Sequence, residues 1–422
     1  MAQAAGRKII FISILIFALA AASSLVYLSI VVIKKRLPIR VGILHSQTGT
    51  MAISELPIID ATLMAIEEIN DSGGLLGRSI EPIVEDGASD PATFAAKAEK
   101  LITKDKVDVI FGCWTSASRK AVKSIVEKHD HLLFYPVQYE GLEDSPNIIY
   151  TGATPNQQIL PGVTWCYYNL GATFFLVGSD YVFPRTAHEI IKNYIKLFNG
   201  KIIGEAYVPL GGTSFEGIVK NIVALQPKVI INTINGNSNN TFFKALRNAG
   251  ITPDKIPTMS FSIAEQDLEV LGAQELVGDY AAWSYFQSVA SPTNERFVDR
   301  FKKKYGQDRV VSDPLEAAYF GIGLWAQAVR EVKTSQVLKI KNAIKKQGQD
   351  APEGIVYIDP NNNHTWKTVR IGKITQQGQF DIVWSSHKAI RPIPFPSFRG
   401  RINWEGFLEK LYEGWNKKWA LE

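Results

Sequence analysis

The sequence predicts an α/β protein of two doubly wound parallel-sheet lobes joined by a multi-strand hinge, preceded by one N-terminal transmembrane helix. Three observations predict it. From Pro38 onward, short apolar runs alternate with segments of helical periodicity, the pattern of parallel sheets covered by helices on both faces. The alternation fills two tandem blocks, and a chain of 422 residues with 46% hydrophobic content can bury two cores. Ahead of it, Ile9–Ile33 run for 25 residues without a charge, and a hydrocarbon core needs about 20.

In order, Arg40–His45 reads as a strand and Pro57–Asn70 as a helix stopped by Gly73-Gly74. Ile80–Asp86 is a strand, Pro91–Thr103 a helix, Val107–Phe111 a strand and Ser116–His129 a helix. Strands Leu132–Phe134 and Ile148–Tyr150 close this block. The second series is helix Asn156–Tyr168, strand Thr173–Val177, helix Pro184–Leu197, strand Lys201–Val208 and helix Phe215–Leu225. Strand Val229–Thr233, helix Ser238–Gly250 and strands Thr258–Ser260 and Asp279–Trp283 complete it. Helices Asn294–Tyr305 and Pro314–Val332 return to the first lobe; Ile355–Ile358 and the hairpin Lys367–Ile374 with Phe380–Ser385 return to the second. The expected division is therefore 1–37 as a signal anchor, 38–155 plus 284–350 as one lobe, 156–283 plus 351–395 as the other, and 396–422 as an extension. Repeated crossing between lobes builds a hinge.

Charge excludes one class of partner. Six of the 46 basic residues lie at or before Arg40 and no acidic residue does, which leaves 40 basic against 41 acidic residues beyond. Such a globular part has no electrostatic footprint for nucleic acid. The apolar stretch is longer than the roughly 7–15 residues of a cleaved signal's core. Cleavage within Ala18–Ser23 would also leave an apolar stub, SSLVYLSIVVI, so an uncleaved anchor is expected. Lys34-Lys35-Arg36 outweigh Arg7-Lys8, which by the positive-inside rule favours a cytoplasmic domain. Against that, a first hydrophobic segment is usually an export signal and large domains translocate regardless of charge, so the binding domain is expected outside the cytoplasm. Two cysteines, Cys113 and Cys166, are too few for a disulfide framework, and Cys113 is expected to pack as a small apolar residue.

The stretch from Val107 to Gln158 carries the most chemistry. Its strands end in Trp114-Thr115-Ser116 and in Tyr135-Pro136-Val137-Gln138-Tyr139. In open α/β sheets, ligands bind in the crevice outside the carboxyl ends of the strands. Aromatic walls and neutral donors gathered there suit a small, uncharged, polar ligand. Arg119 and Lys120 after Ser116 read as the solvated face of a helix, and Ser262 reads as the N-cap of helix Ala264–Leu271.

VGILHSQTGTMA, VEDGASDPATFAAKA, FGCWTSASRKAV, LLFYPVQYEGLEDSPNIIYTGATPNQQ and VGSDYVFPRTA resemble the urea-binding components of ABC transporters. So do INTINGNSNNTFFKAL, MSFSIAEQDL, YAAWSYFQS, SDPLEAAY, DAPEG and NNNHTWKTVRIGKI. The resemblance runs in unbroken order from about Pro38 to Pro396 and extends to short-chain amide-binding proteins, including amide-sensing amidase regulators. It implies a type I periplasmic-binding fold that closes on its ligand, no cofactor, and permease subunits as partners. Carried over residue by residue, it implies first-lobe contacts at Trp114, Ser116, Tyr135, Val137 and Tyr139. Second-lobe contacts fall on Tyr181 and Ser262, with Asn235 and Asn237 as further candidates. The amide sensors carry a hydroxyl residue at Val137 and threonine at Ser262, so these departures favour urea.

Two alternatives remain open: a sensor that signals closure to a separate partner, and a branched-chain amino-acid binder. The latter needs an acidic residue in the cleft for the ammonium, and the nearest acids, Glu140 and Asp180, lie off the positions the family uses. Catalysis is not expected. The six histidines are scattered without metal-ligand spacing, with His129-x-His131 read as surface, and no nucleophile elbow, Walker loop or dinucleotide fingerprint is present. In the tail, Trp404, Phe407, Leu408, Leu411, Tyr412, Trp415 and Trp419 recur at helical spacing. That makes an amphipathic helix, either docked on a lobe or facing a membrane or partner.

Overall fold

A computed structural model describes residues 37–421 together with the isolated positions 16 and 23. The expected membrane span, 9–33, otherwise lies outside the described residues, among which no helix is long and apolar enough to cross a membrane.

The first sheet is built from β1 (Ile39–His45), β2 (Ile80–Asp86), β3 (Val109–Gly112), β4 (Leu133–Tyr135) and β5 (Ile148–Tyr150). Helices α1 (Ala52–Asp71), α2 (Pro91–Thr103) and α3 (Ser116–Lys128) alternate with its first four strands. All pairs are parallel, in the order β2-β1-β3-β4-β5, so the winding reverses between β1 and β3. Every residue of β3, β4 and β5 is buried, which is why these strands read as continuous apolar runs. The edge strand β2 carries Glu81, Glu85 and Asp86 on a partly exposed ladder, a composition that blunts an edge.

The second sheet follows, with α4 (Ile159–Asn169), β6 (Thr173–Ser179), α5 (Val182–Ile195), β7 (Lys201–Val208) and α6 (Glu216–Leu225). Next come β8 (Val229–Thr233), α7 (Ser238–Asn248), β9 (Thr258–Ser260), α8 (Glu265–Leu271) and β10 (Tyr280–Trp283). Helices α9 (Pro292–Tyr305), α10 (Asp313–Val332) and α11 (Val337–Ala343) precede β11 (Gly348–Ala351), β12 (Gly354–Ile358), β13 (Thr365–Ile374), β14 (Phe380–Ile390) and α12 (Arg401–Gly414). The order is β11-β12-β13-β10-β9-β8-β6-β7, with β14 also on β13. From β10 to β7 the sheet is parallel and reverses its winding at β6 and β8; every pair that β13 makes is antiparallel.

Helix α10 leaves the second sheet to pack on the first: Phe320 and Trp325 share a core with Ile43 and Phe111. Val356 and Ile358 of β12 enter the same core, so the strand path from β11 to β13 spans both lobes. The crossing is fixed by paired backbone groups. Tyr150 bridges to His364, the Thr365 hydroxyl donates to the Tyr150 carbonyl at 3.0 Å, and Asp313 accepts from the amides of Ser284 and Tyr285, each at 2.9 Å.

Several local expectations are corrected. Helix α1 starts at Ala52, a turn before Pro57, because tertiary contacts outweigh the proline: the Glu55 carboxylate accepts from Ser46 N at 3.0 Å and pairs with His45 at 2.8 Å. His131 is buried with its ring nitrogen on the Val107 carbonyl at 2.9 Å, not on the surface. The N-cap of α8 is Ala264, whose amide donates to the Asp267 carboxylate at 2.9 Å; Ser262 is used elsewhere. The aromatic tail forms α12, and Trp404 and Leu408 pack with Val182 and Ile191 in the second lobe's core, the docked arrangement.

Candidate ligand-binding site

Both winding reversals put their strand ends on the same crevice. In the first lobe, β3 runs into Cys113, whose φ of 70° turns the chain so that Trp114 leaves the sheet edge. Thr115 then caps α3 by accepting from Ser118 N at 3.1 Å, which places Ser116 on the first turn. Tyr135 ends β4, and its hydroxyl donates to the Trp114 carbonyl at 2.6 Å. In the second lobe, Tyr181 is the extended residue between β6 and α5. Asn235 follows β8 and donates its amide to the Ser179 hydroxyl at 3.0 Å. Ser262 follows β9 and donates its hydroxyl to the Ile234 carbonyl at 2.5 Å.

The lobes meet. The Trp114 indole donates to the Asn235 carboxamide at 3.3 Å, and the Gln138 carboxamide donates to the Phe261 carbonyl at 2.8 Å. A Cβ at Gly236 would lie 2.8 Å from the Thr50 carbonyl of the facing lobe, a spacing that only glycine tolerates. Trp114, Ser116, Tyr135, Tyr181, Asn235 and Ser262 are all buried around this junction, and Tyr181 has Tyr135, Glu140 and Arg119 as its ionisable neighbours.

The other expected contacts sit differently. Val137 is packed in the first lobe's core. Tyr139 packs nearly parallel to Tyr150 and His364, which stack on each other at 4.1 Å, and its hydroxyl is engaged by the His364 ring and by the Glu143 carbonyl at 3.2 Å. Asn237 is exposed at the start of α7.

Sequence reading missed the charge beneath these residues. Arg119 is fully buried and Lys120 nearly so, where a solvated helix face was expected. The Arg119 guanidinium donates to Glu143 at 2.9 Å, to Glu140 at 3.1 Å and to the Ser116 hydroxyl at 2.8 Å. Lys120 reaches the other Glu143 oxygen at 3.0 Å, and Tyr150 donates to Glu143 at 2.9 Å. Burial would raise the Glu143 carboxyl, but Arg119 and Lys120 outweigh it and hold it well below the usual carboxylate range. His364 is pushed down to about 4, chiefly by burial, and is neutral at pH 7. Two cations therefore face two carboxylates, and the cleft floor is charged but balanced. The one available signal was the three-residue step from Ser116 to Arg119, which puts both on one helix face.

A second group of acids lines the start of α8. Burial raises Glu265 to about 8, with Asp313 and Asp267 adding to the rise, and burial raises Asp267 to about 7. The folded chain thus keeps protons that the unfolded chain has lost above about 4.3. This contribution is complete below that value and disappears as pH rises through 7 to 8. Buried neutral histidines oppose it only below about 6.5, their unfolded value. Chemical denaturation should show stability falling between pH 6.5 and 8 by about 1 kcal/mol per unit. A Glu265→Gln variant, which retains the acceptor for Gln287 N, should remove the share of that slope that Glu265 contributes, leaving the shares of Asp267 and of Glu316, whose carboxyl burial also raises.

Among the described residues no group of three His, Cys, Asp or Glu side chains could hold a metal ion. Two lobes whose strand ends converge on a junction with a balanced floor define a two-lobed binding protein for small solutes. The chain belongs to the periplasmic binding protein domain family, whose model matches residues 39–401. Its fold is the type I periplasmic-binding fold.

The chain is 23% identical to Leu/Ile/Val-binding protein homolog 6 of Brucella abortus over 381 residues, 88% of this chain and 93% of that one. It superposes with a TM-score of 0.77, at 22% identity, on an ABC-transporter solute binding protein of R. palustris in complex with 4-hydroxybenzoate, covering 84% of this chain and 98% of that one. With a branched-chain amino acid transporter substrate binding protein of Streptococcus pneumoniae in complex with isoleucine, the TM-score is 0.72 at 20% identity, covering 84% and 100%. A 124-residue stretch is 39% identical to limonene hydroxylase of Geobacillus stearothermophilus, but it spans only 29% of this chain and 22% of that protein. The relatives matched along their whole length are binding proteins.

Proposed function

We propose that the chain captures urea or a short-chain amide between its lobes and presents the closed form to the permease of an ABC importer. One observation carries the reading. The hydroxyls of Ser116, Tyr135 and Ser262 each donate to a group that can only accept: the Glu140 carboxylate, the Trp114 carbonyl and the Ile234 carbonyl. Their remaining capacity is lone pairs. The carboxamide oxygens of Gln138 and Gln158, buried beside Phe261, add acceptors with no protein partner. Such a surface suits an uncharged ligand rich in N–H groups. A carboxylate would meet lone pairs above Glu140 and Glu143, with Arg119 already committed to both. In this reading the apolar stretch 9–33 tethers a binding domain that lies outside the cytoplasm.

Calorimetric titration of the purified chain tests it. Urea and acetamide should bind, whereas tetramethylurea, which keeps the carbonyl and lacks every N–H, should not. A Tyr135→Phe variant should weaken urea binding about tenfold or more, since an unpaired ligand N–H costs about 1–3 kcal/mol. Binding of leucine without urea would overturn the reading in favour of a branched-chain amino-acid carrier, which the Brucella relative's name favours.

A further inference from the structure

The family match ends at residue 401, yet the chain beyond it folds back over the cleft. Its anchor is on the second lobe. Trp404 is fully buried there, its indole donates to the Pro396 carbonyl at 3.0 Å, and Arg399 pairs with Glu189 of α5 at 2.9 Å. Past α12 the chain adds a short strand-like contact to the cleft edge. Val182 N donates to the Trp419 carbonyl at 2.9 Å, Leu421 N donates to the Asp180 carbonyl at 3.3 Å, and Ala420 bridges Tyr181.

Two side chains of the same segment reach the first lobe. Arg401 forms a two-pronged pair with Asp144, at 2.9 and 3.0 Å, in the loop between β4 and β5. The Trp419 ring lies 4.5 Å beneath the Lys120 ammonium of α3. Lys120 is the same residue that holds Glu143 under the cleft floor.

We propose that residues 399–421 form a clasp. It is seated on the second lobe, sets the backbone of Tyr181, and fastens to the first lobe through Arg401–Asp144 and Trp419–Lys120. The lobes cannot part at this edge until both contacts break, so the clasp favours the closed form and slows exchange of whatever the cleft holds. Opening leaves the anchor in place, because Trp404 and Arg399 are tied by their hydrogen bonds to Pro396 and to Glu189 of the second lobe. Trp419 and Arg401 are positioning residues in this scheme.

The test needs no ligand and so stands apart from the urea reading. Both native thiols, Cys113 and Cys166, are buried, so spin labels can be directed to surface cysteines made by Asp71→Cys on the first lobe and Lys220→Cys on the second. The partly buried cation–π pair shifts an equilibrium by about fivefold or more, and the exposed Arg401–Asp144 pair by up to about fivefold. Inter-lobe distances in the Arg401→Ala/Trp419→Ala variant of the full chain should therefore show the closed-to-open ratio falling about tenfold. The thermal midpoint should change little, since the buried anchor is untouched. Should that variant fail to fold, Asp144→Asn should give a smaller shift in the same direction. Unchanged distance distributions in a folded variant would overturn the clasp, as would a parent chain already fully open without ligand.

Discussion

Replacing Arg119 by methionine should destabilise the protein by about 3–5 kcal/mol, the cost of leaving buried carboxylates without their cation. Among the described residues the guanidinium is the one partner that Glu140 shares with Glu143, and it sits 4.9 Å from the Tyr135 ring centre and 4.4 Å from that of Tyr139. Its loss therefore empties the space between two aromatic rings as well as unbalancing the charge. The double variant Arg119→Met/Glu140→Leu separates these effects. It removes one charge of each sign and leaves Glu143 paired with Lys120, so most of the lost stability should return. Urea binding should not return with it, because Ser116 loses both Arg119 and Glu140 and its hydroxyl is no longer oriented. Denaturant unfolding with calorimetry on the same samples reads both outcomes. A double variant no more stable than the single one would show that packing, not charge balance, dominates at this position.

Gly152→Ala should be the most damaging of the conservative changes near the cleft. A Cβ there would lie 2.0 Å from the Val137 carbonyl oxygen, 2.1 Å from its carbon and 2.6 Å from Gln138 N. All three are backbone atoms, so no side-chain rotation relieves the overlap and the peptide between Val137 and Gln138 must move. Overpacking of this kind costs about 1–3 kcal/mol, and an obstacle of backbone argues for the upper end. That peptide also aims Gln138 at Phe261, so ligand affinity should drop alongside stability. Gly217→Ala is the control: nothing lies within 4 Å of its Cβ and it sits inside α6, where alanine should stabilise by up to about 1 kcal/mol. Melting curves of the two variants should move in opposite directions.

The contrast between these positions explains what the sequence made legible. Strands β3, β4 and β8 were plain because burial on both faces leaves an uninterrupted apolar run, and the residues at or just past the ends of such runs, Trp114, Ser116, Tyr135 and Asn235, are buried at the junction of the lobes. Arg119 was illegible because its partners lie 21 and 24 residues away in a loop without periodicity, and a charged residue on a helix reads as solvent-facing by default. The short elements α11 and β11 escaped for a related reason. Gln347 and Gln349 stabilise that region through side-chain hydrogen bonds to Glu331 and Phe320 of α10, contacts that no local pattern announces. The start of α1 before Pro57 shows the converse, a local rule overridden by the distant pair of His45 and Glu55.

The return of α10 to the first sheet has a kinetic consequence. Phe320 and Trp325 complete the core around Ile43 and Phe111, so strands made early in synthesis await a helix made more than two hundred residues later. Contacts of such long sequence separation slow folding, because loop closure must be met before they stabilise anything. The second sheet's parallel strands, β6 to β10, lie within one uninterrupted stretch and can pair first. Folding should therefore run against the order of synthesis, the lobe translated second consolidating before the lobe translated first. Pulse-labelled hydrogen exchange should find amides of β6 and β8 protected before those of β1 and β3.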